Sequence, residues 1–218
     1  MSLVNAPFGI LPDMHPTGQV RPTAYKSTGA NDLLIPSGTN VAIYKGQPVK
    51  LLIGSGGAIN GVTIATGAMV VGPVTGTTDD VAGIFAGIEY VDATGKPWAN
   101  DFWPASQTLL AGAPQTVYIW DDPEIIYRAQ MSAAPSTGAT YALTGKQLTI
   151  DTGTVASGSA LTGLSQATLS ATVIATSSQG QFRIIKLFNG IDNLSTDTYP
   201  VFEVKIQRTP FVAAKTSL

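Results

Sequence analysis

The residues that could do chemistry in this chain are few, and they begin with a single histidine, His15. One histidine cannot build a multi-histidine metal site. As a general base it would need an activated nucleophile and an orienting acid beside it. Ser2 and Asp13 are the nearby residues of those types, but the chain has no Gly-x-Ser-x-Gly elbow. We therefore expect no catalysis at His15.

Carboxylates are concentrated in two short runs, Asp79-Asp80 and Asp121-Asp122-Pro123-Glu124. Paired carboxylates can bind Ca²⁺ or share a proton in an acid–base pair. Neither run has the spacing of a known calcium loop, and neighbouring side chains of an extended chain point to opposite faces. The second run favours a type I turn that Asp121 or Asp122 opens, with Pro123 at its second position. Calcium binding and an acid–base pair remain the alternatives.

Nothing else in the sequence indicates a cofactor. The chain has no cysteine, so disulfides and thiolate metal ligands are excluded. The run Gly54-Ser55-Gly56-Gly57 is not followed by the Lys-Ser/Thr that a phosphate-binding loop requires, and we interpret it as a strand connection. We expect no cofactor, no metal site and no enzymatic activity.

The composition predicts a surface that is poor in charge. Charged residues make up 12 % of the 218, about half the usual share, and the net charge is −2. The chain contains no run of five or more basic residues, which argues against a nucleic-acid partner. It also lacks a signal peptide and the ~18 consecutive apolar residues of a membrane helix, so no membrane partner is expected. Such a composition suits a neutral β-protein, or a surface that partner subunits cover.

Strand patterns dominate the sequence. β-Branched and aromatic runs recur between turn signals about 8–12 residues apart, which is typical of a sandwich or barrel. No window of about a dozen residues has helical apolar spacing without an intervening Gly or Pro. The predicted fold class is therefore all-β. Strands are expected at 33–35, 41–44, 49–53, 62–65, 68–71, 84–91, 115–120, 125–130, 148–150, 171–174, 181–187 and 199–208.

Composition also divides the chain into segments. Residues 1–32 are predicted to form an extended N-terminal arm, and residues 33–131 together with 181–209 the main β-barrel or sandwich domain. Residues 132–180, rich in Ser, Thr, Ala and Gly, are predicted to be a smaller β lobe inserted before the closing hairpin, with disorder as the alternative. Residues 210–218 are predicted to be a tail.

The arm combines prolines with apolar side chains. Pro7, Pro12, Pro16 and Pro22 exclude a helix or a central strand. A solvated linker would not need the apolar residues between them, so the arm should lie on a surface, either its own domain's or a neighbour's; we expect a neighbouring subunit's. The predicted partner-binding residues are Phe8, Ile10, Leu11, Met14, Arg21 and Tyr25.

Large aromatic side chains form a second candidate for contact. Trp98, Phe102 and Trp103 follow the turn Asp92-Ala93-Thr94-Gly95, and Trp120 ends a later strand. Aromatic residues dominate the energetics of interfaces, so these four could bind a sugar or a protein. They could equally belong to the core, where we expect Trp98 and Trp103 to lie.

Several segments, taken in order, resemble one protein family. They are Phe8–Pro12 with Val20-Arg21-Pro22, Ile43–Val49, Gly83–Gln107, Val117–Glu124, Gly180–Leu187, and Val201–Ile206 with the preceding Asp192-Asn193. Together they resemble the cement, or decoration, proteins of tailed-bacteriophage capsids.

The resemblance implies a structural protein. It would be made in the host cytoplasm and would reside in the virion, on the outer face of the capsid. Its partners would be the major capsid protein and further copies of itself, as a homo-oligomer expected to be a trimer. The alternative is a receptor- or carbohydrate-binding β-module of the virion surface, with a role in a head fibre or in adsorption.

Overall fold

The computed structural model describes residues 4–27, 34–53, 58–59, 62–63, 69–135, 143–174, 179–194 and 197–211. Within these residues the chain is all-β and contains no helix, which confirms the predicted fold class. The Gly54–Gly57 run and most of the predicted tail lie outside the described residues. No helix long and apolar enough to cross a membrane occurs in the described part of the chain.

The strands follow one another with turns and loops between them. In chain order they are β1 (Leu11–Met14), β2 (Thr23–Lys26), β3 (Ile43–Tyr44), β4 (Pro48–Ile53), β5 (Ala58–Ile59), β6 (Val62–Thr63), β7 (Met69–Pro73), β8 (Gly83–Val91), β9 (Pro97–Asn100), β10 (Phe102–Trp103), β11 (Thr116–Trp120), β12 (Ile126–Gln130), β13 (Gln147–Ile150), β14 (Leu169–Val173), β15 (Phe182–Leu187) and β16 (Val201–Ile206).

Two six-stranded antiparallel sheets contain twelve of these strands; β3 pairs with β10, and β5 with β6, in two-stranded sheets. Sheet I has the order β1-β12-β16-β15-β13-β14. Sheet II has the order β2-β11-β8-β4-β7, and β9 also pairs with β8. None of the sheets in the described residues closes into a barrel, so of the two predicted architectures the sandwich fits.

Strand alternation creates two hydrophobic cores. On the inner face of sheet I, Tyr127, Phe202 and Val204 are buried in one core, which Ile84 of β8 also enters from sheet II. The next residue of β8, Phe85, lies in a second core on the opposite face of sheet II, with Trp103 of β10. Sheet II therefore packs against sheet I through one face and against the β3–β10 pair through the other.

The segment 132–180 contributes two strands to sheet I. Its strand β13 pairs with β15, and β14 pairs with the far side of β13. Strands β15 and β16 pair antiparallel, as the predicted closing hairpin requires. Residues 136–142 and 175–178 of the segment lie outside the described part.

The arm lies on its own chain. Strand β1 pairs with β12 at the edge of sheet I, and β2 pairs with β11 at the edge of sheet II. Pro12 fits in β1 because an edge strand can lack an amide donor. Ile10, just before β1, is 0 % exposed. The described arm residues thus pair with strands of their own chain. Contact of the arm with a neighbouring subunit stays a prediction.

A predicted strand over residues 33–35 is absent at Leu34 and Ile35, which are nevertheless buried. The amide of Gln115 explains the difference. Its oxygen accepts the N–H of Ile35 at 2.8 Å, and its nitrogen donates to the C=O of Ile35 at 3.1 Å. The side chain thereby satisfies backbone groups that would otherwise need a neighbouring strand.

Candidate docking surface

His15 packs against the arm's own turn. Its Nε2 lies 3.2 Å from Asp122, and its Nδ1 lies 2.6 Å from the Thr17 hydroxyl and accepts the Thr17 N–H. Asp13, the acid considered from the sequence, instead pairs with Arg128 at 2.9 Å. The hydroxyl and the amide N–H of Thr17 both contact Nδ1 of His15, so the imidazole helps to hold this turn in place. Ser2 lies outside the described residues.

The carboxylates of the 121–124 run have separate partners. Asp121 accepts hydrogen bonds from Tyr25 at 2.5 Å and Thr23 at 2.6 Å, whereas Asp122 faces His15. The Ile125 N–H donates to the Asp122 C=O at 3.2 Å, so residues 122–125 form the predicted turn.

The two carboxylates of the Asp79-Asp80 run also have separate partners. Asp79 bonds Lys50 at 2.8 Å, and Asp80 bonds Arg208 at 2.6 Å. Among the described residues, no group of three or more His, Asp or Glu side chains has the geometry to hold a metal ion.

The four candidate aromatic residues do not come together as one surface. Trp103 is 0 % exposed and meets Tyr90 edge to face in the second core, and Phe102 stacks on Tyr44. Trp120 is half-buried and packs against the first core. Trp98 alone of the four is exposed, at 39 %. The prediction of a core position holds for Trp103 and is wrong for Trp98, because β9 lies at the margin of sheet II.

Three of the six predicted partner-binding residues are engaged within the chain. Ile10 is fully buried in the first core and offers no side-chain surface to a partner. Tyr25 is half-buried, and burial together with its hydrogen bond to Asp121 raises the pKa of its hydroxyl. Leu11 is half-buried opposite Arg128 in sheet I.

The other three predicted residues reach the surface. Met14 and Arg21 are exposed, on β1 and in the connection to β2. Phe8 is half-buried and lines a hollow of about 340 Å³ together with Phe188 and Ile191. We call Phe8, Phe188 and Ile191 the Phe188 patch. It lies at one end of the outer face of sheet I.

The Phe188 patch has an unusually exposed apolar tip. Ile191 has a relative exposure of 101 %, and Leu194, three residues later, is also exposed. The side chain of Arg128 lies over the Phe188 ring, with 5.0 Å between the guanidinium carbon and the ring centroid. The patch therefore combines apolar area with a cation that is held in place by Asp13.

Asn193 holds the loop that carries this tip. Its side-chain nitrogen donates to the C=O of Phe188 at 2.7 Å and of Val201 at 2.8 Å. Its side-chain oxygen accepts the Val201 N–H at 2.9 Å. The Leu194 N–H is bonded in turn by buried Asp197 at 2.8 Å. The loop is thus ordered by its own hydrogen bonds before any partner arrives.

An ordered loop with an exposed apolar tip can bind a protein surface without the cost of ordering it on binding. The sequence analysis did not identify this surface. The available signal was two large apolar residues, Phe188 and Ile191, within turn-forming Asn and Gly. Only the fold shows that Phe8, from the other end of the chain, lies beside them.

Comparison with known proteins identifies no relative: no family model, no curated protein and no solved structure matches this chain.

Proposed function

We propose that this protein is a capsid decoration protein. It binds the outer surface of a tailed-phage head through the Phe188 patch and stabilises the contacts between major capsid subunits. The observation that carries this proposal is the full exposure of Ile191 on a loop that Asn193 fixes in place. The segment-by-segment resemblance described above supplies the identity of the partner.

The affinity for the capsid would come from buried apolar area and from several copies binding one shell together. Burying apolar surface contributes about 25 cal/mol per Å², so the tip of Ile191 and its neighbours supplies a modest affinity per copy. A homo-oligomer, which we propose to be a trimer, multiplies that affinity because several patches bind one shell together. The chain's low charge leaves large parts of its surface suitable for burial against capsid subunits.

Co-sedimentation with undecorated capsid shells tests this function. The wild type should sediment with the shells, and Ile191→Asp should lose most of that binding. Leu161→Asp is the matched control, because Leu161 is also a loop side chain, with 96 % exposure, outside the Phe188 patch. It should bind as the wild type does, and all three proteins should melt alike.

Two outcomes would contradict the proposal in different ways. A wild type that never sediments with shells contradicts the decoration function itself. A wild type that binds while Ile191→Asp and Leu161→Asp bind equally well keeps the function but removes the Phe188 patch from it.

A second candidate function is the binding of a receptor or carbohydrate. The exposed side chain of Trp98 favours it, since Trp98 lines a hollow of about 380 Å³ with Glu89, Pro97 and Thr116. Its indole N–H is bonded by Asp92 at 2.8 Å, and Lys96 lies over the ring at 4.0 Å. Binding of the purified protein to a glycan array, abolished by Trp98→Ala, would support this function in place of capsid decoration.

A further inference from the structure

The outer face of sheet I carries two adjacent rows of cross-strand partners that differ in charge. In the first row, Arg128 lies opposite Glu203, and Glu203 lies opposite Lys186. Lys186 pairs with Glu203 at 3.1 Å, and Arg128 pairs with Asp13 at 2.9 Å. Each charge of the first row is therefore balanced by a charge of the opposite sign.

The second row places two cations directly opposite each other. Arg183 of β15 and Lys205 of β16 are register partners. Like charges in this position destabilise a sheet. Glu124 pairs with Lys205 at 2.8 Å, but in the described part of the chain no carboxylate forms an ion pair with Arg183. The row therefore has an excess positive charge, in a chain whose net charge is negative.

The same two cations line a groove. It has a volume of about 410 Å³, and Ile126, Ile185 and Pro123 contribute to its walls. The register of β15 against β16 shifts between Ile184 and Lys186, so Ile185 occupies a β-bulge. Bulges of this kind re-aim side chains at functional surfaces. The groove thus combines two half-buried isoleucine side chains with an exposed guanidinium that no described residue neutralises.

We propose that this groove binds a carboxylate-bearing, otherwise apolar segment of the major capsid protein. Arg183 receives the carboxylate, and the isoleucine side chains pack against the apolar neighbours of that carboxylate. Arginine suits the role because its planar fork matches a carboxylate in a bidentate geometry. This inference rests on the proposed function and names the chemistry of the partner.

A carboxylate of a protein explains the groove better than the phosphates of a nucleic acid. Glu124 also lines the groove and would repel a continuous polyanion, whereas a single acidic side chain needs only Arg183 as its partner. The apolar walls would also gain nothing from a sugar-phosphate backbone. The groove shares the outer face of sheet I with the Phe188 patch, so one capsid surface could contact both.

The test measures shell binding by four proteins over a range of NaCl concentrations. They are the wild type, Arg183→Gln, Arg183→Lys and, as matched control, Lys26→Gln. Lys26 is an exposed cation on β2 of the other sheet, and its replacement changes the net charge equally. Thermal melts of the free proteins verify that each variant is folded.

Arg183→Gln should weaken shell binding roughly tenfold or more, the size expected for one charge-assisted hydrogen bond. It should also flatten the salt dependence of binding. Arg183→Lys should retain part of the affinity, and Lys26→Gln should match the wild type.

Equal binding by Arg183→Gln and Lys26→Gln, with a wild type that binds, would overturn the inference and leave the decoration function intact. A wild type that binds no shell would overturn both. A gel-shift assay with duplex DNA completes the test: DNA binding that depends on Arg183, with unchanged shell binding, would overturn the carboxylate assignment in favour of a nucleic acid.

Discussion

Trp103 and Tyr90 meet edge to face in the core beneath sheet II, with 5.3 Å between their ring centroids and an angle of 69° between their planes. Trp103 is the largest fully buried side chain of the described residues. We predict that Trp103→Ala lowers the free energy of unfolding by about 3–5 kcal/mol, as other large core truncations do. Urea denaturation followed by circular dichroism measures the change.

Two further variants control this prediction. The indole N–H of Trp103 has no hydrogen-bond partner among the described residues, so Trp103→Phe should cost less than half as much as Trp103→Ala. Trp98→Ala should lower the free energy of unfolding by only about 1 kcal/mol. The ring is partly exposed, and its removal abolishes one cation–π contact and one exposed hydrogen bond. Equal costs at Trp98 and Trp103 would contradict the core assignment.

The pH dependence of stability should report on Asp79. Burial alone would raise the pKa of this carboxyl, but hydrogen bonds from Lys50 and from the amides of Thr75 and Gly76 outweigh burial and lower its pKa to about 2 from 3.8. A lowered pKa in the folded state stabilises the protein above the unfolded pKa. That stability is lost as the pH falls from about 5 to about 2.

Asp79→Asn should therefore destabilise the protein by about 1–2 kcal/mol at pH 7, and by progressively less toward pH 2. Asp80→Asn is the matched control, because Asp80 lies next in the chain and forms a more exposed ion pair with Arg208. It should cost less than about 1 kcal/mol. A pH profile of unfolding free energy that is the same for both variants would refute the role given to Asp79.

The strands could be predicted from the sequence because burial on one face imposes a period of two. Five strands begin and end within two residues of their predicted bounds: β8, β11, β12, β15 and β16. The local pattern wrongly predicted a strand at Leu34 and Ile35. The backbone of Ile35 is instead hydrogen-bonded by the side chain of Gln115, which is 80 residues away in the sequence. A side chain that hydrogen-bonds backbone groups far away in the sequence produces no periodic pattern from which that contact could be predicted.

The candidate sites were harder to predict than the fold. Ile10 and Met14 are both apolar residues of a proline-rich arm, yet one is buried and the other exposed. Their difference depends on the pairing of β1 with β12, which lies more than a hundred residues away in the sequence. The Arg183–Lys205 juxtaposition likewise depends on the bulge at Ile185, which no local spacing reveals.

Ile10 and Met14 give a direct test of where the arm lies. Ile10 is 0 % exposed in the core of its own chain, and Met14 is 47 % exposed. We predict that Ile10→Ala lowers the unfolding free energy of the isolated protein by about 2–5 kcal/mol. Met14→Ala should change it by less than about 0.5 kcal/mol, as surface substitutions do. An Ile10→Ala protein that unfolds like the wild type would mean that the arm is not packed on its own chain in solution.

Asn193 and Ile191 contribute differently to the loop that follows β15: Asn193 fixes its conformation by hydrogen bonds, and Ile191 supplies its exposed apolar tip. Asn193→Ala removes three hydrogen bonds and leaves the Val201 N–H without its side-chain acceptor, so it should cost about 1–3 kcal/mol of stability. It should also weaken binding to undecorated shells even though Ile191 is still present, because the loop must then be ordered on binding. Amide hydrogen exchange at Val201 measures the loosening of the loop. Asn193→Asp, which keeps the acceptor but not the donors, should give intermediate exchange and intermediate binding. Fast exchange at Val201 with unchanged shell binding would show that the order of this loop does not contribute to binding.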